Sequence, residues 1–461
     1  MELYPDGPTP TAPIDLPPAA VRVEAAEDGG PILHGLPERA PSFGAAAEWL
    51  DCAAVRTPDR PFLIAPGLSL GFDEAAGLTD GIAQALIDRD LGADRPLMIH
   101  GPGEPAAILM HIGAVKAGVP TAIAPRAPAR LAAESGPGLV YGLDGRAAQA
   151  VSDILETTGA GRPETVIGVR GVERIALTRA TIEIMEARQR TPLDRAFALY
   201  PAAQRSPSPH SVIASRRSAA AATSALLAAW PFAAVRHTVV LSSGDPLDPL
   251  GAGPATRLVM AVGGTMILHA GQSRRGEIAS LLKASGETGP TLIAEPAAAL
   301  EHLLDAADED PLLADHLASR LEAVWVLDGP AEPGLARRLD LFGRRTRGER
   351  IALLDCLSLP ETAGPALWRR ADALADGRGA APGLAPLPGL SARAPGREAG
   401  GREAGGREAS GLRLRGPAVG PGWFGASEED VLWDGDGFRL TGAAARLIDP
   451  ARPEKGLVSA A

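Results

Sequence analysis

Cysteine is almost missing from this chain. Only Cys52 and Cys356 occur in 461 residues, far apart and outside any CxxC or Cys/His cluster, which argues against structural zinc and fits a reducing, cytoplasmic compartment. The histidines are scattered, His100, His111, His210, His237 and His269 among them, and no HExxH spacing occurs, so no metal cluster is expected. Excess positive charge is missing too. Lys plus Arg is 45 against 56 for Asp plus Glu, a formal charge of -11, and no basic stripe is interleaved with aromatics, which excludes nucleic acid as an expected partner. Long apolar runs are also lacking: residues 218–235, SAAAATSALLAAWPFAAV, form the longest uncharged stretch, but it is Ala-rich and broken by Pro231. A buried helix ending at Trp230 is expected there, and no membrane span. The N-terminal MELYPDGPTPTAPIDLPP has no basic segment followed by an apolar one, so no signal peptide is expected.

Hydrophobic residues make up 45% and charged residues 22%, the balance of a soluble globular protein. At 461 residues the chain exceeds one compact core, and two or three subdomains follow. From residue 42 helical and strand patterns alternate. Ser42 can cap GAAAEWLDCAAVR, FLIA reads as a strand, DEAAGLTDGIAQALIDR carries Leu78, Ile82 and Leu86 on one helical face, and PLMIH, EPAAILMHIGAVKAG and TAIA continue the rhythm. It resumes with LVYGL, HTVVLSS, TMILHA, TLIAE and AVWVL, separated by helical segments such as PAAALEHLLDAADEDPLLADHLASRL. Strands alternating with helices predict an α/β fold with parallel or mixed sheets covered by helices. After about residue 380 short Gly- and Pro-punctuated pieces (GLAPLPGL, LRLRGPAVGPGWFG, DGFRLTG) predict a small β-rich subdomain. The expected division is an extension over 1–40, α/β subdomains over 41–200 and 201–380, and the β-rich part over 381–458. Three tandem pentads, GREAG, GREAG and GREAS, interrupt it at 396–410 and read as a surface-turn insertion, because five residues form no supersecondary unit.

One short stretch stands out. DCLSLPETAG, residues 355–364, is an apolar strand-like run that stops at Pro360 and delivers Glu361 and Thr362. Ligands of α/β sheets bind at strand ends, so the pair could hold a metal or a nucleotide; it could equally be a polar turn at a solvated helix start. Other features carry less. HGPGEP at 100–105 has a Gly-x-Gly after a strand but lacks the third glycine of a dinucleotide fingerprint, and Ser215 in ASRRS reads as a helix start.

Read in order, TPDRPFLIA (57–65), AQALIDRDLGADRPLMIHGPGEPAAILMHIGAVKAGVPTAIAPRAP (83–128), PGLVYGLDG (137–145), WPF (230–232), GGTMIL (263–268), GPTLIAEP (289–296), LPETAG (359–364), PLPG (386–389), RGPAVGPGWF (415–424), GFRLTG (437–442) and DPARPEKGLV (449–458) resemble acyl-CoA synthetases of the adenylate-forming superfamily, most of all the feruloyl-CoA synthase branch. The resemblance implies that family's large N-terminal domain, with ATP and a carboxylic acid such as a hydroxycinnamate forming an acyl-adenylate, magnesium at the phosphates and CoA as co-substrate.

Several of the family's motifs are altered. Where its phosphate loop places two glycines and a lysine, PAAQRSPSPHSVI (201–213) has Gln204, Pro207 and His210, and proline removes a backbone donor and fixes φ. Glu361 matches the glutamate associated with the metal, which implies a catalytic and metal-binding role, whereas Leu357, Ser358 and Pro360 replace the tyrosine, glycine and threonine of that signature. Gly329 lies near the adenine-side loop. Thr441 and Gly442 match the Thr-Gly of the ribose motif, but Ala443 stands in the aspartate's place. Gly329, Glu361, Thr362, Thr441 and Gly442 are thus the residues the resemblance assigns to the nucleotide. In SSGDPLDPLGAG (242–253) Gly251 matches the acyl-pocket run and Asp248 stands near its histidine. The family continues past a Gly-Arg hinge into a lid domain with a catalytic lysine; this sequence ends before that hinge, so the lid is expected to be absent or supplied by a partner protein. Two functions follow as expectations: an acyl- or aryl-CoA ligase with weak or lost activity, or a non-catalytic binding module on the same scaffold.

Overall fold

Four-residue runs dense in Val, Ile and Leu form the central strands. Val239–Ser242, Thr265–Leu268, Leu292–Glu295 and Ala323–Val326 are buried along their whole length, as parallel strands covered on both faces must be. The computed structural model describes residues 14–26, 30–39, 46–101, 103–124, 128–142, 144–157, 163–176, 196–201, 210–269, 275–287, 289–376, 383–394, 411–424, 434, 436–441 and 443–459. The phosphate-loop positions 202–209, the repeat at 396–410, the Ser42 cap and Gly442 lie outside these residues.

Three large sheets organise the described residues, with a small two-stranded sheet of Ala445–Leu447 and Leu457–Ser459 beside them in the sequence. A nine-stranded sheet runs in the order Ala385–Pro386, Gly364–Arg370, Ala352–Leu359, Ala323–Val326, Leu292–Glu295, Val239–Ser242, Thr265–Leu268, Pro61–Ala65, Leu68–Gly71. Its six inner strands, from Ala352–Leu359 to Pro61–Ala65, are parallel, so their C-terminal ends share one edge. A seven-stranded sheet takes the order Gly422–Trp423, Val212–Ser215, Ala196–Tyr200, Thr121–Ala124, Leu97–His100, Leu139–Gly142, Glu164–Ile167. The β-rich part expected from the sequence is a five-stranded antiparallel sheet, Val21–Ala25, Pro31–Gly35, Ser391–Arg393, Arg413–Arg415, Arg439–Leu440. The sheets do not follow the linear division of the sequence. The hairpin of residues 61–71 belongs to the nine-stranded sheet, Val212–Ser215 to the seven-stranded one, and the strands of residues 21–35 to the β-rich sheet.

Helices fill the space between the sheets. The expected Ala-rich helix runs from Arg216 to Ala229 and ends at Trp230; Ser215 caps it, its hydroxyl accepting from the Ser218 N–H at 3.0 Å while the Ser218 hydroxyl accepts from the Ser215 N–H at 2.9 Å. Trp230, fully buried, meets the Trp325 ring edge-on at 5.1 Å and the Trp368 ring at 6.4 Å, tying this helix to the nine-stranded sheet. The acidic helical segment divides at Asp310, whose carboxylate accepts from the Leu312 and Leu313 N–H groups to start a second helix at Pro311. Helix Pro105–Ala117 is apolar all round and almost entirely buried. Its one cation, Lys116, is kept inside by Asp51 at 2.6 Å and Asp80 at 2.8 Å. No described helix is long and apolar enough to cross a membrane.

Candidate functional site

Ala352–Leu359 runs four residues beyond its parallel register with Ala323–Val326, and there it turns back as an antiparallel hairpin with Gly364–Arg370. Pro360, Glu361 and Thr362 form a single 3-10 turn at the tip. Ala363 (φ 52°) and Gly364 (φ 150°) complete the reversal in backbone regions that disfavour ordinary side chains. The turn is neither solvated nor a helix start. Glu361 is 1% exposed and Thr362 0%, with the Thr362 hydroxyl facing the Gly364 carbonyl at 2.7 Å and the Leu359 carbonyl at 3.3 Å. Below the turn, Asp355 and Arg369 pair across the two strands at 2.6 Å, and burial raises the Asp355 pKa.

Three elements close over the turn. From helix Gly253–Val262, the buried Arg257 donates through Nη2 to the Ala363 carbonyl and shares a hydrogen bond with the buried Tyr200 hydroxyl at the end of Ala196–Tyr200. Burial lowers the Arg257 pKa and pushes Tyr200 up to about 12. Arg257 makes no ion pair among the described residues. The second element is the loop before Gly422–Trp423: the Gly420 N–H donates to the Glu361 carbonyl at 2.7 Å, and a Cβ on Gly420 would lie 2.2 Å from the Ile213 carbonyl oxygen, so only glycine fits this approach. The third is Arg439, on the core face of the five-stranded sheet and 0% exposed. It donates through Nη1 to the Gly420 carbonyl at 2.7 Å and stacks 4.2 Å from the centre of the Trp423 ring. Burial pulls its pKa down to about 10 against the opposing pull of the Glu361 carboxylate. Glu361 therefore lies in a turn that Arg257 bonds directly, at the Ala363 carbonyl, and Arg439 indirectly, through Gly420.

The remaining predicted residues have local contacts of their own. Gly329 follows Ala323–Val326 at the shared strand edge with φ 143°. Thr441 is 2% exposed; its hydroxyl donates to the Leu412 carbonyl at 2.9 Å and lies 3.3 Å from the Ala443 N–H, so it fixes the strand turn. His210, at the lysine place, has its Nδ1 3.7 Å from Glu134, whose carboxylate also accepts from the Ser211 hydroxyl at 2.6 Å. Asp248 and Gly251 share a capped turn, the Gly251 N–H donating to the Asp248 carbonyl at 3.0 Å.

The sequence reading did not find Arg257, Tyr200, Trp423 or Arg439. It also missed a cluster at the shared strand edge: the buried His269 has its Nε2 2.6 Å from Oε1 of the buried Glu295, and the N–H and hydroxyl of the half-buried Ser243 both donate to that carboxylate. A signal existed for the two arginines. Arg439 sits in FRL and Arg257 in ATRLVM, charged residues inside otherwise apolar runs, where an ion must find internal partners.

No protein-family profile matches the chain, and no curated protein matches it. Solved structures do. A long-chain-fatty-acid-CoA ligase, FadD1, from Archaeoglobus fulgidus superposes with a TM-score of 0.70 at 14% identity, covering 91% of this chain and 84% of that one. The fold is that of acyl-CoA ligases. A putative long-chain-fatty-acid CoA ligase from Rhodopseudomonas palustris gives a TM-score of 0.67 at 18% identity, over 90% of this chain and 98% of that one. ATP-bound MatB from Rhodopseudomonas palustris gives 0.63 at 16% identity, over 87% and 76%. At such identities the likeness fixes the ligase architecture, and the expected α/β class with mixed sheets and a β-rich part is the one observed.

Proposed function

We propose that this chain binds ATP and a carboxylic acid at the Glu361 turn, in the manner of feruloyl-CoA synthase-type ligases, with its capacity to adenylate that acid reduced. The observation that carries the reading is the position of the turn: a buried carboxylate at the end of a parallel strand, enclosed by the β-rich sheet, on an acyl-CoA ligase fold. In the reaction, a carboxylate oxygen of a hydroxycinnamate-like acid attacks the α-phosphorus of ATP, pyrophosphate leaves, and CoA thiolate then displaces AMP. The turn would present Glu361 and Thr362, Thr441 would position the strand beside the ribose, and Gly329 would border the adenine. ATP as the nucleotide is supported by the ATP-bound state of MatB.

The reduction follows from Ala443. A methyl group cannot accept the ribose hydroxyls, and each lost charge-assisted bond costs roughly 1.5 to 3 kcal/mol, about tenfold or more in affinity. The same residue supports a second reading, a ligand-binding module without turnover. The test is incubation with ATP, Mg²⁺ and hydroxycinnamic acids while pyrophosphate is followed. Slow release that disappears in Glu361→Ala supports the ligase; release no greater than in that variant leaves the binding module.

A further inference from the structure

The deepest unexplained group at the site is the Arg439 side chain. On a guanidinium, Nε–H and one terminal N–H point the same way and form a fork that matches two oxygens of an oxyanion. This chain uses that edge elsewhere: Arg89 donates from Nε and Nη2 to the two Glu164 oxygens at 2.9 and 3.1 Å, and Arg369 places both on Asp355. In Arg439 the third nitrogen, Nη1, is taken by the Gly420 carbonyl, while Nε and Nη2 are buried and have no hydrogen-bond partner among the described residues. Trp423 stacks on one face of the guanidinium, and the fork edge is the part of the group that a further acceptor would meet. A buried donor pair without an acceptor is costly, and an arriving oxyanion repays it.

The charge around the turn points the same way. Arg439 and Arg257 bring two buried cations to the neighbourhood of one buried carboxylate, Glu361, since Arg257 donates to the carbonyl of Ala363 in the same turn. Gly420 ties the two halves together, donating to the Glu361 carbonyl and accepting from Arg439. A divalent cation brought to Glu361 would face a guanidinium with nowhere to retreat, and among the described residues no group of three or more His, Cys, Asp or Glu is placed to hold a metal. We infer that Arg439, and not magnesium, supplies the positive charge beside Glu361, and that its Nε/Nη2 fork receives an oxyanion of the ligand, a phosphate or a carboxylate. This rests on the ligand-binding reading above and adds that binding there needs no metal.

Calorimetric titration of the full chain with ATP, AMP, adenosine and 4-hydroxycinnamate, each in Mg²⁺ and in EDTA, tests it on the parent protein and on Arg439→Lys and Arg439→Gln. ATP and AMP are expected to bind equally well in both buffers. Arg439→Lys, which keeps the charge but not the fork, is expected to weaken the ligand that uses it by about tenfold or more. If the phosphate is the source, AMP weakens and adenosine does not; if the carboxylate is the source, 4-hydroxycinnamate weakens and the AMP-to-adenosine ratio is unchanged. Melting temperature is read on each variant, and the EDTA arm needs no variant. Nucleotide binding that requires Mg²⁺, or variants that melt like the parent and bind every probe as tightly, would overturn the inference and leave the ligase reading intact. Failure of every probe to bind would end both.

Discussion

His111 shows how far burial governs single residues in this protein. It lies in the apolar helix Pro105–Ala117, 6% exposed, edge-on to the Phe197 ring at 4.7 Å. Burial, and secondarily the Arg257 charge, lower its pKa from 6.5 to about 3. The folded protein therefore refuses a proton that the unfolded chain accepts below pH 6.5, so stability is lost as pH falls from 6.5 towards 3. At pH 5 the loss is about 2 kcal/mol. Burial also lowers the pKa of His34 and His237, so the measurement is a difference: urea unfolding of the parent against His111→Leu at pH 7 and pH 5. The parent's margin over the variant should shrink by about 2 kcal/mol on acidification, and a margin independent of pH would refute the assignment. Legibility at this scale was uneven. Glu361 was found because it follows a strand, but its burial was not, since exposure depends on Arg439 and Gly420, some 60 to 80 residues later in the chain.

Among the elements, the hairpin of Ala352–Leu359 and Gly364–Arg370 sets the site's geometry. Its reversal depends on Gly364, whose φ of 150° excludes ordinary side chains and whose Cβ would meet Pro254 Cγ at 2.6 Å. Gly364→Ala is expected to destabilise the protein by about 2 to 3 kcal/mol in urea unfolding and to weaken ligand binding by displacing Glu361. An unchanged midpoint would mean that the turn relaxes without cost. The parallel strands were legible because a buried strand is a continuous apolar run. The outer hairpin was not, because Pro360 ends the apolar pattern of DCLSLP and the sequence WRR on the return strand does not alternate. Only pairing with Asp355 makes Arg369 a strand residue facing inward.

The whole molecule is woven in a way that a linear reading does not reveal. Residues beyond 381 supply an edge strand to each large sheet, Ala385–Pro386 and Gly422–Trp423, and join residues 21–35 in the five-stranded sheet. An isolated fragment of residues 381–461 should therefore fail to fold, giving collapsed amide proton dispersion, because its strands lack partners. A folded fragment would show that this part is autonomous.

The same weaving hides one amine. The chain has three lysines, Lys116, Lys283 and Lys455, against a surface whose other cations are arginines. Lys116 is sealed between Asp51 and Asp80 where helix Phe72–Ile87 packs on Pro105–Ala117. Acylating reagents that label the other two in the native protein thus reach this third site only when that helix pair parts, which makes a mass tag at Lys116 a clock for the opening of the protein's centre.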